Sequence, residues 1–109
     1  MVGKAIMKGH RVYNPGQELS VEDELFSAIL LLQDADECRA FFQDLCTPAE
    51  LQALKDRWAV AELLADGLTY RQIRNKTGVS VTTVGRVARC LSEPPAGYAA
   101  VLQRIGKIE

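Results

Sequence analysis

From residue 20 onward, apolar residues recur at intervals of three and four, the spacing that lines one face of an α-helix. No stretch of any length alternates with the period of two that marks a strand. Val21, Leu25, Ala28, Ile29 and Leu32 make the first such face. It follows Ser20 and Asp23, which are spaced as a capping box, and predicts a helix to about Gln33. Asp34 and Glu37 repeat the spacing and open a second helix to about Cys46, with Phe41, Phe42 and Leu45 on its buried side. The plainest start is Thr47-Pro48-Ala49-Glu50. Thr47 can accept from the free amides of the first turn, and Pro48 has the φ of a first helical residue with no amide to leave unpaired. Glu50 can reach back to the Thr47 amide. This third helix carries Leu51, Leu54, Trp58, Ala61, Leu64 and Ala65 on one stripe and runs to Asp66, where Gly67 suits the left-handed residue beyond the end. Thr69 and Gln72 open a short helix to about Lys76. Ser80 caps another to about Leu91, Pro94 and Pro95 interrupt it, and residues 96–105 give a last short helix. About six helices with short joints predict an all-α fold.

Residues 1–17 stand apart. They hold Gly3, Gly9, Pro15 and Gly16, three bases and no acids, and show no sustained period. They read as a flexible basic arm before a single helical domain over 18–109. With 109 residues the chain supports one domain, and its single Trp, three Tyr and three Phe predict an aliphatic, Ala-rich core. So short a chain buries a modest fraction of its surface, and oligomerisation is a natural source of added stability.

The net charge of −1 conceals a local asymmetry. Residues 18–66 carry twelve acids against three bases, whereas residues 69–92 carry no acid and five bases: Arg71, Arg74, Lys76, Arg86 and Arg89. Such a segment suits a nucleic-acid partner. Other functions lack their materials. The longest purely apolar run, residues 28–32, is far short of a membrane span, and no leader pattern opens the chain. Cys38, Cys46 and Cys90 have no C-x-x-C spacing, and His10 is the single histidine, so no metal site is expected. The cysteines read as free buried thiols in a reducing compartment, the cytoplasm. With no Gly-rich phosphate loop and no paired carboxylates facing a nucleophile, the chain does not read as an enzyme.

Residues 69–91, TYRQIRNKTGVSVTTVGRVARCL, have the anatomy of a helix-turn-helix. Gly78 supplies a positive φ at the corner, and Ile73, Val79, Val84, Val87 and Leu91 supply the contacts that lock two helices together. On the second helix Val84, Val87, Ala88 and Leu91 face inward, leaving Thr82, Thr83, Gly85, Arg86 and Arg89 outward. Threonine meets base edges or a thymine methyl, and arginine pairs with guanine through two bonds. Ser80, Val81, Thr82 and Thr83 lie at the end that enters a major groove first. Arg71, Gln72, Arg74, Lys76 and Arg89 are placed to hold phosphates, which position without specifying. Arg74 occupies a position where many such motifs keep a small residue. Gly85, mid-helix, serves either a close approach of DNA or ligand, or packing against a neighbouring helix.

The segment LFSAILLLQDADECRAFFQDLCTPAELQALKDRWAVAELLADGLTYRQIRNKTGVSVTTVGRVARCL, residues 25–91, with GYAAVLQRI at 97–105, resembles the Trp-repressor-like superfamily and, within it, the YerC/YecD family of small regulators. The resemblance implies an intertwined all-α homodimer that binds double-stranded DNA. Leu25, Ile29, Leu32, Phe41 and Phe42 would build the shared core, and two recognition helices would face half-sites about 34 Å apart. It also implies a ligand pocket in which Arg57 and Arg86 flank a small-molecule corepressor near Thr47. Val87 stands where a Trp repressor has Gly, Cys90 where it has Ser, and Trp58 where it has Val. The added volume at Val87 argues against tryptophan and leaves the identity of any corepressor open. Arg57 has an alternative use, an ion pair with Glu50, Glu62 or an acid of a partner chain. Two readings stand beside a dimeric repressor: a version gated by a ligand between Arg57 and Arg86, and a non-catalytic protein-interaction module that kept the helix-turn-helix shape.

Overall fold

Each of the first five helices begins where a short polar side chain closes its first turn. The computed structural model describes residues 13–109 and contains six helices and no strand among them. These are α1 (Pro15–Leu30), α2 (Ala35–Leu45), α3 (Pro48–Ala65), α4 (Tyr70–Thr77), α5 (Val81–Ser92) and α6 (Gly97–Arg104). At α3 the expected box is complete: Thr47 Oγ1 accepts from the Glu50 amide at 3.1 Å, and Glu50 Oε1 accepts from the Thr47 amide at 2.8 Å. Beyond its end Gly67 turns with φ 91°, and its amide and that of Leu68 donate to the Leu64 and Leu63 carbonyls. Thr69 and Gln72 close α4 with the same pair of bonds, at 3.1 and 2.8 Å.

The first helix departs from expectation. Its N-cap is Asn14, whose Oδ1 accepts from the Gln17 amide at 2.8 Å while Gln17 Oε1 accepts from the Asn14 amide at 2.9 Å. Ser20 therefore lies inside α1, donating its hydroxyl to the Gly16 carbonyl, and the helix ends at Leu30 rather than near Gln33. Pro15 and Gly16, read as breakers, occupy the first turn, where the missing proline amide costs no bond. Residues 15–17 of the expected arm are thus helical, and residues 1–12 lie outside the described part of the chain. At α2 Asp34 accepts from the Glu37 amide, but Glu37 reaches the amide of Gln33, one residue before the cap.

The described residues divide into two compact units, 13–42 and 43–109, the boundary falling inside α2. In the second unit Val60 and Ala61 of α3, Ile73 of α4, Val84 and Val87 of α5 and Leu102 of α6 are removed from solvent. Trp58, Leu64, Val79, Leu91 and Tyr98 surround them, with Trp58 and Tyr98 stacked at 6.5 Å between ring centroids. The expected α3 stripe is only partly right. Val60 joins the core, while Leu54 stays 43% exposed, because the stripe marks a face and not what covers it.

The first unit has no fully buried side chain among its described residues. Leu25, Ala28, Ile29 and Leu32 are half-buried, whereas Val21 is exposed. Leu19, Phe26 and Leu30 form a second, exposed apolar stripe about a third of the way round α1. Phe41 and Phe42 meet edge to face at 5.6 Å and are half-buried rather than buried. Leu45, in the second unit, is exposed. The cysteines are free, as expected, but Cys38 and Cys90 are exposed and Cys46 is half-buried.

Candidate nucleic-acid interface

α4 and α5 follow one another across Gly78, Val79 and Ser80. Gly78 has φ 78°, which places it in the left-handed region that an L side chain rarely adopts, and its amide closes α4 on the Arg74 carbonyl at 2.8 Å. Ser80 caps α5 by accepting from the Thr83 amide at 3.2 Å. Ile73, Val84 and Val87 point into the core, which fixes the opposite faces of both helices outward. On α5 that outward line is Thr82, Arg86 and Arg89, all exposed, with Thr83 and Gly85 half-buried at its edge. Val81 is half exposed at the α5 N-terminus. On α4, Arg71, Gln72, Arg74 and Lys76 are exposed. Five cations thus sit on a two-helix surface without an acid in its sequence, and none of the five forms an ion pair among the described residues.

Two of the residues expected to hold DNA have local duties. Gln72 Oε1 is the acceptor for the Thr69 amide, which leaves only its amino group for a phosphate. Ser80 accepts from the Thr83 amide and donates to Thr83 Oγ1 at 3.2 Å, so it organises the start of α5 while remaining exposed. Two residues passed over in the sequence belong to this surface. Tyr70, 45% exposed at the start of α4, lies beside Gly85: a Cβ built there would stand 3.9 Å from Tyr70 Cε2, an ordinary contact. Gly85 therefore packs near a neighbouring helix yet has room for a methyl group. Thr77, half-buried, bonds on both sides of the corner.

The residues matched to a ligand pocket lie at the cap of α3, on α3 and on α5. Thr47 is occupied in capping α3, and Val87, 1% exposed, is part of the core. Arg57 lines a cleft of about 420 Å³ with Glu50 and Leu54 and forms no ion pair with Glu50 or Glu62. Cys90 lines a different, apolar cleft of about 380 Å³ with Trp58, Tyr98 and Val101. Arg86 stands exposed on α5. No group of His, Cys, Asp and Glu among the described residues could hold a metal ion, and none of the described helices is long and apolar enough to cross a membrane.

The chain belongs to the Trp repressor family, described as Trp repressor protein, which matches residues 21–106. It is 45% identical over 94 residues to YerC of Bacillus subtilis (strain 168), an uncharacterized protein, with 86% of this chain and 88% of YerC covered. A TrpR-like protein from Eubacterium eligens ATCC 27750 superposes with a TM-score of 0.79 at 41% identity, over 88% of this chain and 99% of that one. A candidate Trp repressor from Staphylococcus aureus gives 0.77 at 39% identity, over 89% and 98%. The family is one of regulators, not enzymes.

Proposed function

We propose that this chain is a sequence-specific DNA-binding transcriptional regulator, a repressor that works as a homodimer through the helix-turn-helix of α4 and α5 and catalyses no reaction. The observation that carries this reading is the cationic surface itself: Arg71, Arg74, Lys76, Arg86 and Arg89 without an acid and without an ion pair among the described residues. Unpaired cations on one face are free to replace the counterions of a phosphate backbone. Thr82 and Arg86 lie on the outward line of α5, where side chains that read base edges belong. The homodimer is supported by the exposed stripe Leu19, Phe26 and Leu30, since a helix apolar on two sides calls for cover on both. Three free cysteines suit the cytoplasm, where thiols stay reduced and DNA is at hand.

The test is selection of binding sites from a randomised duplex pool at fixed salt, with and without tryptophan. The expected result is a palindromic consensus with half-sites about 34 Å apart, one duplex turn. The same consensus is expected in both arms, because the Val87 side chain fills space that an indole would need. A consensus that requires tryptophan would restore the corepressor pocket between Arg57 and Arg86. Absence of any binding would overturn the reading in favour of a protein-interaction module. On the selected duplex, Arg86→Ala weakens specific binding by about 1–3 kcal/mol; unchanged affinity would remove Arg86 from the base-reading set.

A further inference from the structure

The corner between α4 and α5 is closed by a side chain as well as by Gly78. Thr77 Oγ1 donates to the Ile73 carbonyl at 2.7 Å and accepts from the Val79 amide at 3.0 Å. Val79 lies past the end of α4 and before the start of α5, so neither helix offers its amide a carbonyl; among the described residues the Thr77 hydroxyl is its acceptor. A hydroxyl has one proton to give, and donating it to Ile73 leaves its lone pairs directed at Val79. Ile73 is in turn the α4 residue sealed in the core, with no exposed surface. The hydroxyl therefore links a fixed carbonyl to the residue directly before Ser80, the cap of α5. The packing of Ile73 with Val84 and Val87 in the core, and of Tyr70 beside Gly85, is van der Waals contact and has no comparable direction.

We propose that Thr77 is a positioning residue for DNA readout, resting on the DNA-binding function proposed above: its hydroxyl sets where α5 begins, and so whether Thr82 and Arg86 reach base edges while α4 holds the backbone. The two kinds of contact differ in tolerance. Arg71, Arg74 and Lys76 are long, flexible cations that meet phosphates over a range of poses. A base-edge hydrogen bond survives only within a few tenths of an ångström. Loosening the corner thus removes discrimination while leaving general attraction to DNA.

The experiment compares Thr77→Val, which keeps the branched shape and removes the hydroxyl, with Thr77→Ser, which keeps the hydroxyl. Affinity is measured for the duplex enriched by selection and for a scrambled duplex of equal composition, across a salt series. Thr77→Val is expected to lower the ratio of specific to non-specific affinity by about tenfold or more, with non-specific affinity and its salt slope unchanged. Thr77→Ser is expected to keep the ratio of the unaltered protein. A folded Thr77→Val protein with an unchanged ratio, or a Thr77→Ser protein as impaired as Thr77→Val, would overturn the role. Hydrogen exchange of the Val79 amide in the unaltered protein decides the matter even if Thr77→Val does not fold. Protection like that of the α5 amides is expected, and free exchange would overturn the latch. If the unaltered protein has no sequence preference at all, the DNA-binding reading fails, and the role of Thr77 fails with it; that outcome is read before any variant is made.

Discussion

Helices α1 and α3 start with the same chemistry and differ in what becomes of them. Asn14-Pro15-Gly16-Gln17 and Thr47-Pro48-Ala49-Glu50 place a short acceptor at the cap, a proline at the first position and a reciprocal side chain at the third, and both close two backbone bonds. Yet α3 sends Val60 and Ala61 into a core shared with α4, α5 and α6, while α1 has no fully buried residue. A cap contributes about 1 kcal/mol, whereas full burial of one Val or Leu contributes about 1.5–3 kcal/mol. The cap decides where a helix begins. Burial decides whether a unit stands by itself. Residues 43–109 hold their own apolar core, and residues 13–42 present apolar surface that, in the proposed homodimer, a second copy of the chain would cover.

The comparison is put under most stress by Phe26→Asp with Leu30→Asp. In the proposed homodimer each of these side chains counts twice across the two-fold axis, so the pair removes at least about 6 kcal/mol per dimer. Light scattering is expected to give the monomer mass at concentrations where the unaltered chain is a dimer, with the helices of 43–109 retained by circular dichroism. A dimer mass would show that this stripe is not the interface. Ile73→Ala attacks the other unit and is expected to lower its stability by about 2–5 kcal/mol in urea unfolding. A loss within error would deny residues 43–109 the core on which the contrast rests. The two caps offer a matched pair. Thr47→Ala is expected to lower the unfolding free energy of 43–109 by about 1 kcal/mol. Asn14→Ala should instead speed amide exchange in the first turn of α1 and leave the urea midpoint of 43–109 in place. Smallest is Lys107→Ala. Its pairing with Asp66 at 3.1 Å is 32% exposed on the lysine side and 41% on the aspartate side, and its loss is expected to change stability by less than about 1 kcal/mol, an effect that added salt erases.

The helix starts at Thr47, Thr69 and Ser80 are legible in the sequence because each is settled by residues three apart, and the ends at Gly67 and Gly78 because a positive φ needs little context. The start at Asn14 escapes notice for a physical reason: Asn, Pro and Gly in succession serve a turn as well as a first helical turn, and only Gln17 reaching back decides between them. The inward and outward sides of α5 follow from periodicity, since Val84 and Val87 can share a face only if Thr82, Arg86 and Arg89 share the opposite one. Residue type alone does not separate a DNA contact from a cap, and Ser80 and Gln72 act as caps here. The burial of Val60, the exposure of Leu54 and the two hydrogen bonds of the Thr77 hydroxyl at the corner depend on neighbours distant in sequence or on the path of a turn. No local pattern carries them.

If the stripe of Leu19, Phe26 and Leu30 is the seam of the proposed homodimer, it has a consequence for the living cell, because the active species becomes a matter of abundance. In the proposed homodimer only the pair spans both half-sites, and below its dissociation constant the number of pairs grows as the square of the number of chains. Halving the supply then leaves about a quarter of the pairs. Occupancy of the operator falls off more sharply than the protein itself, so growth and division alone would release the controlled genes at a threshold. The bare side of α1 would then act as a gauge of how much of the protein the cell contains.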